Sequence, residues 1–422
     1  VYRPKRRLRV TARAATTPAV PWEDIVRDGI GLRVASWRDT AGMTQQELAD
    51  RVGVSHAYIS MIENGRRAVT KRALIIALAS ALGVRVEDLT AQPRRPRDRA
   101  ELAAYSAAPG IRRALDDDPD GPPPDPADVA RRLEAASRAR MACDYTTMAR
   151  LLPDLVEQTR LLATAPATER AGLAMFVRVA FFAATGLKSM GHIDLSMRLA
   201  ERAQLAAGQL GEPDETAAAA FALAQVALTG GSQRRSLSTA TAAAQAVGDT
   251  QTGDLATWYG MLHLHASISA ASLGRADDAA AHYAEAQATL PRANGPDRWR
   301  MEFSAANVAT WRVAIALENG EPERAPEYAR RVDRAALRNI QRRTRLHIDA
   351  GRGLFLAGQH DRAVRQFLAA DDISSQELRS RPAVQEIVGQ MVRDARRHGS
   401  TELRELAVRL GIDPLDPDTA AT

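Results

Sequence analysis

A single cysteine, Cys143, gives the chain no internal disulfide and no multi-cysteine zinc site, and it fits a reducing compartment such as the cytoplasm. Aromatic residues make up only 5%. The 45% of hydrophobic residues are carried by Ala and Leu rather than by β-branched types, which disfavours sheet and points to an all-α protein. Long apolar runs are missing too. The most apolar stretch, Ala171 to Leu187, contains Arg178 and is short for a bilayer span. The basic start, Val1 to Arg13, leads into Ala, Thr and Pro rather than into the apolar core of a secretory signal. A soluble protein with no membrane partner is expected. Lysine is scarce, with Lys5, Lys71 and Lys188 standing among 57 basic residues.

Acidic residues are absent from positions 1–22, and the charge is uneven throughout. Residues 1–97 hold 18 Lys and Arg against 9 Asp and Glu, whereas the rest of the chain holds 39 against 42. The positive excess at one end attracts polyanions through counterion release. A length of 422 residues favours two or more domains. Composition divides the chain into a basic arm (1–22), a compact helical pattern (23–90), a linker (91–126), a succession of amphipathic helices (127–412) and a disordered tail (413–422). The linker opens on Pro93-Arg94-Arg95-Pro96, carries the acidic run Asp116 to Asp120, and is broken by Pro122-Pro123-Pro124 and Pro126. A short helix around Arg99 to Tyr105 interrupts it.

The densest local signal is Met43 to Gly65, MTQQELADRVGVSHAYISMIENG. Thr44 with Glu47 forms a capping box, so a helix begins at Gln45; Leu48, Ala49 and Val52 share a face, and Gly53 ends it. Ser55 caps a second helix, in which Ile59 and Ile62 face the first while His56, Ala57, Ser60 and Met61 point away. Two short helices joined by a glycine turn suit one helix to a DNA major groove and the other to bracing it. Ile30, Val34 and Trp37 supply the apolar stripe of a preceding helix, and Leu74 to Leu89 the closing ones.

These residues resemble the lambda-repressor and Cro family, the Xre type, over about 60 residues; the resemblance implies a five-helix DNA-binding domain and double-stranded DNA as partner. It implies base-edge contacts from His56, Ala57, Ser60 and Met61, and phosphate contacts from Gln45, Asn64, Arg66 and Arg67. Relatives often carry Gln, Arg or Asn at the exposed positions, whereas Ala57 and Met61 offer only apolar contact, as to a thymine methyl. Tyr58 either touches phosphate through its hydroxyl or packs on a neighbouring helix. The basic arm follows the DNA backbone, enters a minor groove, or is a disordered tail.

In the amphipathic region, turn glycines recur at Gly191, Gly231, Gly274, Gly320, Gly358 and Gly399, a period of two helices. Small and aromatic residues follow them in order: Ser196, Ala200 and Ala203; Ala279, Tyr283 and Ala286; Ala325, Ala329 and Val332; Ala363, Phe367 and Ala370. Small residues such as Ala350 and Gly351 let paired helices approach. This resembles the tetratricopeptide repeat with lengthened units, and implies an α-solenoid. A helix-turn-helix ahead of such repeats is similar to the RRNPP peptide regulators and to Xre–tetratricopeptide regulators of actinobacteria. The first of these groups binds short peptides on the concave surface. If the first helix of each repeat lines that surface, counting back from each glycine places Arg178, Thr185, Lys188, Asn307, Thr310, Arg345 and Arg352 in an effector groove. Arginines there suit an anion such as a peptide carboxylate or an acidic metabolite.

No cofactor or metal is expected. His263 and His265 sit two apart and diverge, Gly230-Gly231-Ser232 lacks the lysine of a phosphate loop, and nothing assembles a nucleophile with a base, so an enzyme is not expected. The sequence points to a DNA-binding transcriptional regulator, likewise a homodimer, whose repeats sense a peptide, small molecule or protein partner. An interaction scaffold or a plasmid or phage DNA-maintenance factor is the alternative.

Overall fold

A computed structural model describes residues 29–93, 96, 102, 105–249, 251–395 and 400–412. The basic arm, most of the short helix around Arg99 to Tyr105, Gly399 and the tail lie outside the described residues. Among those described, all regular structure is helical.

Five helices make the N-terminal unit: α1 (Ile30–Thr40), α2 (Gln45–Val52), α3 (His56–Glu63), α4 (Arg72–Leu82) and α5 (Val86–Thr90). The Thr44 and Glu47 capping box is present and Gly53 takes φ +76°, so α2 starts and stops where local chemistry dictates. Ser55 accepts a hydrogen bond from the Tyr58 amide and starts α3. Ile30, Val34, Leu48, Ile59, Ile62, Leu78 and Leu89 close the core. Gly31 is what lets α1 meet α3: a Cβ there would lie 1.9 Å from the Ile62 carbonyl oxygen.

The expected stripe of α1 needs one correction. Trp37 is 38% exposed, because the inward position one turn past Val34 is taken by Arg38. Its guanidinium donates to both carboxylate oxygens of Glu63, at 2.7 and 3.0 Å, and to the Met43 carbonyl at 2.8 Å. A buried carboxylate on α3 demands a cation opposite it, and the indole is displaced outward.

Within the stretch expected as a linker, α6 (Ala107–Asp116) buries Ala107, Ala108, Ile111 and Leu115. It packs on the second of two long helices, α7 (Pro126–Met141) and α8 (Tyr145–Thr164). Further helix pairs follow: α9 (Glu169–Ser189) with α10 (Ile193–Leu210), α11 (Pro213–Thr229) with α12 (Gln233–Val247), and α13 (Gly253–Ser272) with α14 (Ala276–Thr289). Then come α15 (Ala305–Asn319) with α16 (Arg324–Arg331), and α17 (Ile340–Leu356) with α18 (His360–Arg379), before α19 (Pro382–Ala395) and α20 (Thr401–Leu410).

Gly191, Gly231, Gly274, Gly320 and Gly358 all take positive φ in the turns of these pairs. The α7–α8 turn instead places Cys143 at φ +54°, so this pair carries no glycine signal. The first helices of successive pairs, α7, α9, α11, α13, α15 and α17, pack side by side. The few aromatics are concentrated where these meet: Phe181 stands edge-on to Phe182, Trp258 and Trp299, with ring centroids 5.4, 5.9 and 5.3 Å away. Helix α9 is, among the described residues, the one long and apolar enough to cross a membrane, and most of its apolar stretch is buried against its neighbours.

The N-terminal unit is docked on the helix pairs. The Glu386 carboxylate of α19 accepts the Ile30 amide at 2.7 Å and so caps α1, whose own N-cap residue is Gly29. Gln390 accepts from the Ala68 amide and donates to the Arg66 carbonyl, and Arg352 donates to the Thr70 carbonyl at 3.0 Å.

The Gly31 contact gives a direct test. Gly31→Ala forces α1 off α3 and is expected to destabilise the N-terminal unit by about 1–3 kcal/mol. Gly208→Ala, inside α10 with nothing within 4 Å of the added methyl, is expected to stabilise by about 0.5–1 kcal/mol. Thermal unfolding of both variants checks the pair; equal effects would contradict the close approach.

Candidate nucleic-acid interface

Helix α3 divides its side chains as two short crossing helices require. Ile59 and Ile62 are fully buried in the core. His56, Ala57 and Met61 are exposed and Ser60 is half-buried, so the four form an outward surface. Met61 keeps 38% of its surface, enough for an apolar contact with a base edge. The helix stops at Asn64, whose Nδ2 donates to the Ser60 carbonyl at 2.8 Å and to the Ser60 hydroxyl at 3.3 Å. Arg66 and Arg67 follow, both exposed, and the Arg67 guanidinium lies over the Tyr58 ring at 5.4 Å. Tyr58 thus packs on the same edge that carries the two cations.

Gln45, at the first position of α2, is half-buried and donates through Nε2 to Glu63 at 2.7 Å. Glu63 therefore gathers α1, α2 and α3 through Arg38, Gln45 and its own helix. The hydrogen bond with Glu63 is also the main reason the Arg38 pKa is raised. Motif reading had no signal for this triad, since its members are separated by 18 and 25 residues. The exposed Glu47 carboxyl is held below the usual range by the Thr44 backbone amide and hydroxyl.

The docked α19 leaves the outward face of α3 open and borders its C-terminal end, where Arg393 Nε would stand 3.2 Å from a Cβ at Gly65.

The seven residues expected in an effector groove separate. Thr185, Lys188 and Arg345 line one cavity, and Arg352 lines an adjoining one shared with Lys188 and Arg345. The other three do not join them. Asn307 is fully buried and donates through Nδ2 to the carbonyls of Met301 and Glu302, and Thr310 is buried with its hydroxyl on the Ala306 carbonyl. Both side chains bond backbone carbonyls at the start of their own helix, and neither lines the two cavities. Arg178 lies over the Trp299 ring at 5.8 Å and donates to the Arg298 carbonyl, away from the cavity. Two cavity residues on the first helices were within reach of the sequence, since Arg342 stands three before Arg345 on the same face of α17, and Gln225 stands six before Gly231 as Thr185 stands six before Gly191. Arg72 was not, because it comes from the N-terminal unit. Of the histidines, His263 Nδ1 meets His282 Nδ1 at 3.0 Å, and His265 Nε2 meets the Ser236 hydroxyl at 3.1 Å.

Residues 34–89 match the helix-turn-helix family, covering α2 through most of α5 together with the greater part of α1. No curated protein matches the chain. The N-terminal unit is a helix-turn-helix domain, the DNA-binding kind, and the described remainder is helical.

Glu63→Ala leaves the Arg38 guanidinium, only 13% exposed, with the exposed Asp39 and the Met43 carbonyl alone, and is expected to cost about 3 kcal/mol. Amide hydrogen exchange should show α1 and α3 losing protection together; unchanged protection in either helix would remove Glu63 as their common anchor.

Proposed function

We propose that this chain is a sequence-specific DNA-binding transcriptional regulator, with α3 in the major groove and the helix pairs acting as a sensing and dimerising region. The observation that carries the reading is the outward face of α3, His56, Ala57, Ser60 and Met61, bordered by the exposed Arg66 and Arg67. Side chains on that face meet base edges, and the bordering cations meet phosphates. Gln45 keeps a second N–H free of Glu63 for a phosphate oxygen, and Asn64 and Tyr58 complete the flank.

The reading treats the helix pairs as tetratricopeptide-like units stacked into a solenoid, occupying 127–412 behind a DNA-binding domain at 23–90 and a connecting segment at 91–126. Positive-φ turn glycines, buried small residues such as Ala279, Ala286, Ala363 and Ala370, and first helices packed side by side support it. A ligand on that surface changes DNA binding by as much as its affinity differs between two arrangements of the stack. Two copies reading a two-fold site double the sequence read without new contacts.

Arg66→Ala in the full chain is expected to weaken binding almost equally over all sequences and to lower the log–log salt slope by about 0.9. Met61→Gln is expected to reorder sequence preference, by about 1–3 kcal/mol at the affected position. Selection from a randomised duplex library at two salt concentrations measures both, and an unchanged ranking for Met61→Gln removes it from the readout surface. Sedimentation on the selected duplex should give two protein chains per site; one chain on a site without two-fold symmetry would end the dimer.

A further inference from the structure

The cavity lined by Thr185, Lys188 and Arg345 has a volume of about 60 Å3 and lies against the first helices of the pairs, with Arg72 of α4 reaching in from the DNA-binding unit. Seven basic side chains line it, and no Asp or Glu does. Three of the cations are matched by acids outside the lining: Arg381 pairs with Glu377, Arg300 with Glu134, and Arg72 stands 3.9 Å from Glu318.

The other four have no carboxylate within ion-pair distance among the described residues. Arg140 donates to the Thr185 hydroxyl at 3.0 Å and lies over Phe181 and Phe182. Lys188 donates to Gln225 Oε1 at 2.6 Å. Arg342 lies over Trp311 at 5.2 Å with its Nε unpartnered, and the Arg345 guanidinium makes no hydrogen bond among the described residues. Burial first, and neighbouring cations second, pull Lys188, Arg342 and Arg345 below their ordinary ranges. Uncompensated cations packed together are strongly unfavourable in the empty protein, and an entering anion relieves them all at once.

We propose that this cavity binds a small organic phosphate, its phosphate held among Arg140, Lys188, Arg342 and Arg345 and its organic body under α4 and α5. The proposal rests on the ligand-sensing reading above and names the ligand's chemistry. A peptide terminus brings one negative charge to four unpaired cations, whereas a phosphate ester brings about 1.5 to 2. Guanidinium forks match phosphate oxygens in pairs. The small cavity excludes a peptide chain, while the adjoining one, about 160 Å3, shares Lys188 and Arg345, adds Ile75, Ile76 and Val86 of the DNA-binding unit with Ile348 of α17, and also carries the carboxylates of Glu87, Glu318 and Asp349, which keep a second anionic group out of it. Those apolar side chains suit a carbon skeleton, so a bound ligand touches both units.

Calorimetry on the full chain without DNA tests this with phenyl phosphate, inorganic phosphate and benzoate. Phenyl phosphate is expected to saturate one site per chain, at least tenfold more tightly than either comparator. Arg345→Gln and Lys188→Met should each weaken it at least tenfold while raising the Tm of the ligand-free chain, because each removes an uncompensated charge. A lowered Tm in both variants would assign the cations a structural role and overturn the proposal. So would benzoate binding as tightly as phenyl phosphate, absence of saturable binding, or binding lost in Arg66→Ala but kept in Arg345→Gln, which puts the anion on the DNA face. Benzoate binding alone leaves ligand sensing standing without the phosphate. Phenyl phosphate that binds yet leaves the affinity for DNA unmoved keeps the site and removes sensing.

Discussion

Close approach of helices through alanine and glycine is the constraint on which the rest of this molecule depends. A chain with few aromatics cannot fill wide gaps between helices, so its backbones must come together, and dispersion between many small groups replaces the burial of a few large ones. Ala279, Ala286, Ala363 and Ala370 show no accessible surface, and Gly351 leaves only enough room for the edge of Phe367, 2.7 Å from where a Cβ would sit. The scarce aromatics then go where three first helices and the loop after α14 converge, around Phe181. Such tight outer packing has a counterpart inside, where long polar side chains on the first helices replace a dry core and leave a charged hollow.

Charge in that hollow follows an unusual logic. Other buried cations among the described residues have a carboxylate at hand, as Arg38 has Glu63 and Arg381 has Glu377. Arg140, Lys188, Arg342 and Arg345 depart from this pattern together and in one place, the first three held by a hydroxyl, an amide and aromatic faces. Neutral partners of this kind orient a cation without cancelling its field.

What was legible in the sequence was what neighbouring residues decide. Thr44, Glu47, Gly53 and Ser55 set the limits of α2 and α3 by contacts no more than four residues long, and the turn glycines mark helix pairs for the same reason. The stripe of α1 was misjudged at Trp37 because Arg38 answers to a carboxylate 25 residues away. Ile111 and Leu115 carried a helical spacing inside a proline-rich stretch, yet their burial depends on α8, far along the chain. The first helix pair escaped the glycine count because Cys143 takes the left-handed turn position. Of the groove residues, Thr185, Lys188 and Arg345 reached the small cavity and Arg352 the adjoining one, while Asn307 is held by the carbonyls of Met301 and Glu302 and Arg178 by the loop at Arg298.

The cap that Glu386 places on α1 has a geometric consequence. A reading head hung on a loose tether can settle on half-sites at many separations, whereas one bonded at Ile30, Ala68 and Thr70 inherits its position from α17 and α19. In a symmetric pair, the ruler between the two heads is then the helical stack and not residues 91–126. Under the proposed two-fold reading, the match to half-sites one turn of duplex apart, about 34 Å, would be set by where α17 and α19 hold the head. Lengthening the connecting segment would leave the phasing untouched, while a small bend at α19 would shift the favoured spacing by whole base pairs.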